Sequence, residues 1–201
     1  MIIAAGMEAE PFIEALSMEE IEARPFPVYT GCGDYIVISG IGKVNAATAT
    51  AYACLRFNPS CILNLGAAGA THESEKLGAI YNIEKTVEPD RLHLRTNSPY
   101  IQYPDSMDGF YKAILATQDK GIIDVEGFLE IAPLAGLVDM EGASVLQASH
   151  RFGRKCLLFK FVSDTPAHAG RGKIILDHVR HFRRSFCDVI TDSVIPVIKN
   201  S

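Results

Sequence analysis

Five carboxylates in this sequence stand where a short apolar run gives way to small or polar residues. Glu8 and Glu10 follow "MIIAAGM" (1–7), Asp139 and Glu141 flank Met140 in "LVDMEGAS" (137–144), and Asp164 follows Ser163 in "FVSDTPA" (161–167). A carboxylate at the mouth of a buried strand loses hydration, and a helix N-terminus, a partner cation or a bound molecule must offset that loss. Two further stretches offer complementary chemistry. "SGIGKVNAA" (39–47) is a Gly-X-Gly turn into a helix, which brings backbone N–H groups close to a ligand oxygen. "NLGAAGA" (64–70) is poor in side-chain volume at Gly66, Ala67, Ala68 and Gly69, leaving room for a closely packed helix or for a flat ligand. Each feature also has a purely structural reading. Acids in a first helical turn meet the helix dipole, Asp164 ahead of Pro166 can cap a helix or close an Asx-turn, and the Gly-X-Gly turn is neither a Walker loop nor a full GxGxxG.

The elements that must position these residues are legible as alternation. Apolar runs at 1–7, 35–40, 61–66, 79–84, 137–140 and 156–163 are short and nearly continuous, as strands covered on both faces are. Between them lie the Ala-rich segment 43–57 and the segment 141–153, which ends on Gly153, a residue suited to a helix C-cap. The tail 172–198 carries apolar residues at helical spacing, with Pro196 expected to kink or end it. Segment 85–108 is the least periodic, has three prolines, and reads as a loop or lid with weak strands. The pattern predicts a single domain over 1–201 with a three-layer α/β/α architecture around a central mixed, mostly parallel sheet. In such sheets ligands collect beyond the carboxyl ends of the strands.

Composition narrows the partners. The 201 residues are 48% hydrophobic and 21% charged, with a net charge of −5, which gives no support to a nucleic-acid polyanion as partner. The basic cluster "RHFRRSF" (180–186) reads as the solvated face of a helix rather than a phosphate or lipid patch. Five cysteines without a CxxC spacing, three of them in apolar contexts, fit reduced thiols. The start lacks a basic n-region, and no apolar run approaches the roughly 18 residues of a membrane helix. A cytoplasmic protein is expected. No His or Cys spacing suggests a metal, so no cofactor is expected.

Taken in order, the pieces resemble the purine nucleoside phosphorylase/nucleosidase superfamily. Within it they look most like the methylthioadenosine/S-adenosylhomocysteine nucleosidases and futalosine hydrolase-like proteins. Met7-Glu8-Ala9-Glu10 is similar to the family's Met-Glu-x-Glu stretch, "SGIGKVNAA" to its Gly-Ile-Gly-Lys turn, and "NLGAAGA" to its Asn-x-Gly-Ser-Ala-Gly-Gly turn. "VDMEGAS…FGRKCLLFKFVSD" looks like its Val-x-Met-Glu helix start followed by the Ser-Asp strand. The likeness runs through most of residues 1–165.

The resemblance implies cleavage of a purine N-glycosidic bond and assigns roles. Asp164 would protonate the departing base, with Ser163 beside it, and Glu10, with Glu8 upstream, would deprotonate an attacking water. Glu141 would accept hydrogen bonds from the ribose diol, and Met140 would pack on the sugar face. Ile41, Ala67 and Gly69 would line the site near sugar and nucleophile. Asp139 would be mainly structural, pairing with a neighbouring cation. Water rather than phosphate is the expected co-substrate, because Ala67 stands where the nucleosidases carry Ser and a carboxylate near the nucleophile repels phosphate. Lys43 either argues for an anion or points to solvent. Ile122 falls in the base segment, where Gly121 replaces the family's stacking Phe; Phe110, Tyr111, Phe128 or Phe161 could substitute. The family's Arg ahead of the Ser-Asp pair is replaced by Lys160 or a neighbour. A phosphorylase releasing ribose 1-phosphate and a non-catalytic nucleoside-binding protein are the alternatives. The partners expected are a purine nucleoside, water and a second copy of the chain as a homodimer.

Overall fold

Strand β10 (Lys155–Asp164) shows how the chain builds its core. Its odd residues Leu157, Phe159 and Phe161 pack into one apolar cluster, and its even residues Cys156, Leu158 and Val162 into another. Side chains alternate along a strand, so a strand buried on both faces reads as an unbroken apolar run. Lys160 lies in the even row and is the one charge inside that run before Asp164.

The structure, a computed structural model, describes residues 1–200. Helices α2 (Lys43–Phe57) and α4 (Gly142–Arg151) cover one face of the sheet, contributing Ala46, Ala49, Ala53, Val145 and Leu146. Helices α1 (Gly6–Ala15) and α5 (Gly172–Val189) cover the other with Phe12, Val179 and Phe186. The helix-rich layers enclose a mixed sheet. Strand β1 (Ile2–Ile3) lies parallel between β4 (Asp34–Ile38) and β5 (Cys61–Ala70), and β5 runs parallel to β10. Antiparallel β2 (Glu19–Glu22) and β3 (Val28–Gly31) extend the edge beyond β4. On the other side, β6 (Ile80–Leu92), β8 (Tyr111–Thr117) and β9 (Leu137–Asp139) connect β10 back to β5, so these five strands close into a ring. Strand β7 (Pro99–Gln102) pairs with β6 outside it.

Three expectations change. The apolar start holds only a two-residue strand, and α1 already begins at Gly6, so Met7, Glu8 and Glu10 are helical. The aperiodic segment from 85 onward is largely sheet: β6 continues to Leu92 and β7 follows, with Thr86, Val87 and Glu88 buried. Mixed burial of charged and apolar residues hid the period-two signal there. The C-terminal tail is helical, but a π-helical turn at Ile190–Val194 separates α5 from α6 (Ile195–Lys199), where Pro196 occupies the first turn. A π turn absorbs the backbone bond that proline cannot donate.

The basic cluster on α5 ties the two helices of one layer together: Arg183 pairs with Glu10 and Arg184 with Glu14 of α1. All five cysteines are free. Among the described residues, no helix is long and apolar enough to cross a membrane.

Candidate active site

The carboxyl ends of β1, β4, β5, β9 and β10 meet on one side of the sheet, and each delivers one part of the site. After β4 the backbone turns through Gly40 and Gly42, both at positive φ (81° and 102°), a conformation that favours glycine. That turn aims the Gly42 amide at Glu141, whose Oε1 accepts from it at 2.9 Å. The turn is clamped from outside as well. The Lys43 amide donates to Asp119, while the Lys43 ammonium pairs with Asp90 at 2.7 Å and Glu88 at 3.3 Å. Lys43 therefore faces neither solvent nor an open anion seat.

Along β5, glycines permit two carboxylates to approach the backbone. A Cβ on Gly66 would lie 3.1 Å from Glu8 Oε1, and one on Gly69 only 3.0 Å from Asp164 Oδ2. Between them the Ala67 amide donates to Glu8 Oε1 at 2.7 Å. Three residues of strand separate the two contacts by about 10 Å. One carboxylate thus sits toward each end of a small-residue platform.

Glu8 reaches the platform because α1 starts so early. Glu10, two residues further on, lies about 200° around a helix of 3.6 residues per turn. It is exposed and pairs with Arg183. The expectation that set Glu10 at the site is therefore corrected: Glu8, not Glu10, reaches the platform. The resemblance ordered the two acids along the chain but carries no helical phase, which α1 sets by starting at Gly6.

Burial pushes the Glu8 carboxyl above its ordinary range, against the opposing pull of the Ala67 amide and Lys160. Burial also raises Asp164, which is 8% exposed, while the Ser163 hydroxyl, His168 and His178 oppose the rise. Ser163 donates to Asp164 Oδ1 at 2.6 Å. His178 Nδ1 lies 2.9 Å from the Ser163 carbonyl and can only donate to it, which fixes that ring's tautomer. Glu141 is raised to about 7, first by burial and then by the Asp139 charge, with Lys160 and the Gly42 amide opposing.

Asp139 and Glu141 divide their work. Glu141 occupies the N-cap of α4, yet its side chain makes no capping bond and turns to Gly42 instead. Asp139 caps in its place, accepting from Gly142 N at 2.8 Å, and also accepts from the Thr117 hydroxyl at 2.6 Å. Its cation is Lys160, whose Nζ lies 2.9 Å from Asp139 Oδ2.

Of the other expected site residues, Met140 is half-buried between the two acids, and Ile41 is 61% exposed on the glycine turn. Ile122 packs against a small cluster containing Phe128 and Val138. Among the candidate aromatics, Phe128 is the one at the platform: its ring edge would lie 3.3 Å from a Cβ on Gly69. Phe161 is sealed against Phe186, Phe110 packs on Phe159, and Tyr111 lies with Phe110 at a separate surface. Lys160 is the buried charge at the site to which the sequence alone assigned no role of its own; its signal was a lone charge in an unbroken apolar run. A cleft of about 510 Å³ also opens at the opposite ends of β1, β4 and β5, beside Met1, Tyr35 and Phe57, away from every one of these carboxylates.

Fold and site together define a three-layer α/β protein whose strand ends hold a cluster of carboxylates. The chain belongs to the phosphorylase superfamily, whose family model matches residues 2–118. A 5'-methylthioadenosine/S-adenosylhomocysteine nucleosidase of Bacillus licheniformis is 30% identical over 162 residues, covering 68% of this chain and 70% of that one. The nucleosidase of the same name from Oceanobacillus iheyensis is 28% identical over 176 residues, covering 73% and 76%. Among solved structures, the 5'-methylthioadenosine nucleosidase of Arabidopsis thaliana superposes with a TM-score of 0.87 at 20% identity, covering 100% of this chain and 95% of that one. Futalosine hydrolase of Helicobacter pylori superposes with a TM-score of 0.81 at 19% identity, covering 94% of each. At these identities the structural likeness speaks for the fold.

Proposed function

We propose that this chain is an N-glycosidase that hydrolyses the bond between a purine and the ribose of a 5′-modified purine nucleoside. One observation carries the choice of water over phosphate: Glu8 already accepts the Ala67 amide, at 2.7 Å, on the small-residue platform. A backbone amide exposed on such a small-residue stretch is a donor that an incoming anion needs. With a carboxylate of the chain seated on it, phosphate meets a like charge instead. Lys43, the nearest candidate for anion binding, is committed to Asp90 and Glu88. The nucleosidase names of the relatives point the same way.

In this reading Asp164 gives a proton to a ring nitrogen of the departing base. Burial pushes its carboxyl above the ordinary aspartate range, in the direction a general acid requires. Loss of the base leaves an oxocarbenium-like sugar. Glu8, at the far end of the platform, takes a proton from water as the oxygen bonds to the anomeric carbon. Its basicity, raised by burial, suits that task. Glu141 accepts hydrogen bonds from the ribose 2′- and 3′-hydroxyls, with Met140 against the sugar face, where a flexible thioether adapts to shape.

The test is chromatographic analysis of methylthioadenosine, S-adenosylhomocysteine, futalosine and unmodified purine nucleosides incubated with the protein, with and without phosphate. Free base and free sugar at equal rates in both conditions are the expected result. Base appearing only with phosphate, together with ribose 1-phosphate, would establish a phosphorylase instead. A melting-temperature shift without any base would leave a nucleoside-binding protein.

A further inference from the structure

Lys160 is 1% exposed and sits between Phe159 and Phe161 in the middle of a core strand. A buried ammonium costs several kcal/mol unless partners offset its lost hydration. One partner is plain: Asp139 Oδ2, at 2.9 Å. Asp139 itself is immobilised, with Gly142 N on the same oxygen and the Thr117 hydroxyl on the other. The anchored ammonium then faces two more carboxylates. A Cβ on Gly66 would lie 3.8 Å from Lys160 Nζ and 3.1 Å from Glu8 Oε1, so the ammonium and Glu8 flank the same point of β5. Glu141 stands two residues beyond Asp139, held by the Gly42 amide, within reach of the Lys160 and Asp139 charges. One cation thus serves three acids: Glu8 from α1, Asp139 from β9 and Glu141 ahead of α4. Asp164 lies further along β10 with its own neighbours, the Ser163 hydroxyl and the two histidines His168 and His178.

We propose that Lys160 is a positioning residue for the reaction: anchored on Asp139, its ammonium couples the charge of Glu8 to that of Glu141, so that the two carboxylates titrate as one system. This rests on the nucleosidase reading for its consequence, because the sugar-binding and the water-side carboxylate then reach their working charge together. The coupling itself is a property of the ligand-free protein. Groups that interact this strongly lose their protons in steps that belong to the set rather than to either residue. The ammonium opposes the burial-driven rise of both acids. Burial would lower Lys160, but Asp139, Glu141 and Glu8 outweigh it and hold the ammonium charged.

The experiment is a carboxyl-carbon NMR titration of the ligand-free chain labelled at glutamate, with Glu8→Gln and Glu141→Gln providing assignments. In Lys160→Met, both midpoints are expected to rise by a unit or more, and the acid limb of the kcat/KM profile to move up equally. Lys160→Arg should restore most of the shift. Unmoved midpoints in a folded Lys160→Met protein would overturn the proposal. Should Lys160→Met not fold, Glu141→Gln in the wild-type background decides: Glu8 must titrate lower once its neighbour is neutral, and an unchanged Glu8 refutes the coupling. Because the titration needs no turnover, coupled midpoints without base release would sink the nucleosidase reading alone.

Discussion

The two ends of the β5 platform are built on different principles. At the Glu8 end, three carboxylates, an ammonium, three backbone amides and a threonine hydroxyl form one cross-braced network. At the Asp164 end there is one acid, one serine hydroxyl and the edge of Phe128, with two histidines behind. A dense network fixes geometry before any ligand arrives, whereas a sparse one leaves recognition to whatever group enters. Under the proposed function the sugar, common to all nucleosides, faces the rigid end, and the base, where nucleosides differ, faces the open one.

The largest expected effect tests the sparse end. Asp164→Asn removes the acid proposed to protonate the base and should lower base release by about 10²–10⁴-fold. Affinity for a non-hydrolysable nucleoside analogue, read by calorimetry, should change only a few-fold. Loss of affinity equal to the loss of rate would erase the contrast, making Asp164 part of the binding frame. The second separates neighbours in sequence. Glu8→Gln should cost about 10²–10⁴-fold in kcat, while Glu10→Gln, on the far side of α1, should stay within twofold of wild type. Reversed results would return the water-side role to Glu10 and require α1 to begin later.

The smallest effect probes the dense end through pH. The Glu141 carboxyl loses its proton near 7 in the folded chain against 4.5 ordinarily. Between those values the folded state holds a proton that the unfolded chain has released, so ligand-free stability falls as pH rises through that window. Nucleoside affinity runs the other way, because the ribose diol needs the ionised carboxylate, and it should weaken toward tenfold per unit below about pH 7. Glu141→Gln should flatten both profiles and weaken binding by about 10–100-fold, as expected for hydrogen bonds to a charged group. Thermal unfolding and calorimetry between about pH 5 and pH 8 read the two slopes.

Much of this was legible in the chain itself. Apolar runs announced β4, β5, β9 and β10, because strands buried on both faces leave no polar gap, and the small-residue turns marked where backbone meets ligand. The choice of Glu8 over Glu10 was not legible. A two-residue strand carries no periodicity, so nothing in "MIIAAGMEAE" fixes the phase of the helix that follows. The strand continuing through residues 85–92 was hidden for another reason: Glu88 is buried there only because Lys43, from 45 residues away, and Arg91 meet it. Partners distant in sequence leave no local trace.

The hydrogen bond from the Ala67 amide to Glu8 bears on thermodynamics as well as on rate. Phosphorolysis conserves the glycosidic bond's energy in a sugar phosphate, and excess product can drive it backward. A protein whose anion seat is filled by its own side chain gives up that reversibility. Under the proposed chemistry its product is a free sugar in water, the flux runs one way, and neither scarce nor abundant phosphate in the surroundings changes its direction.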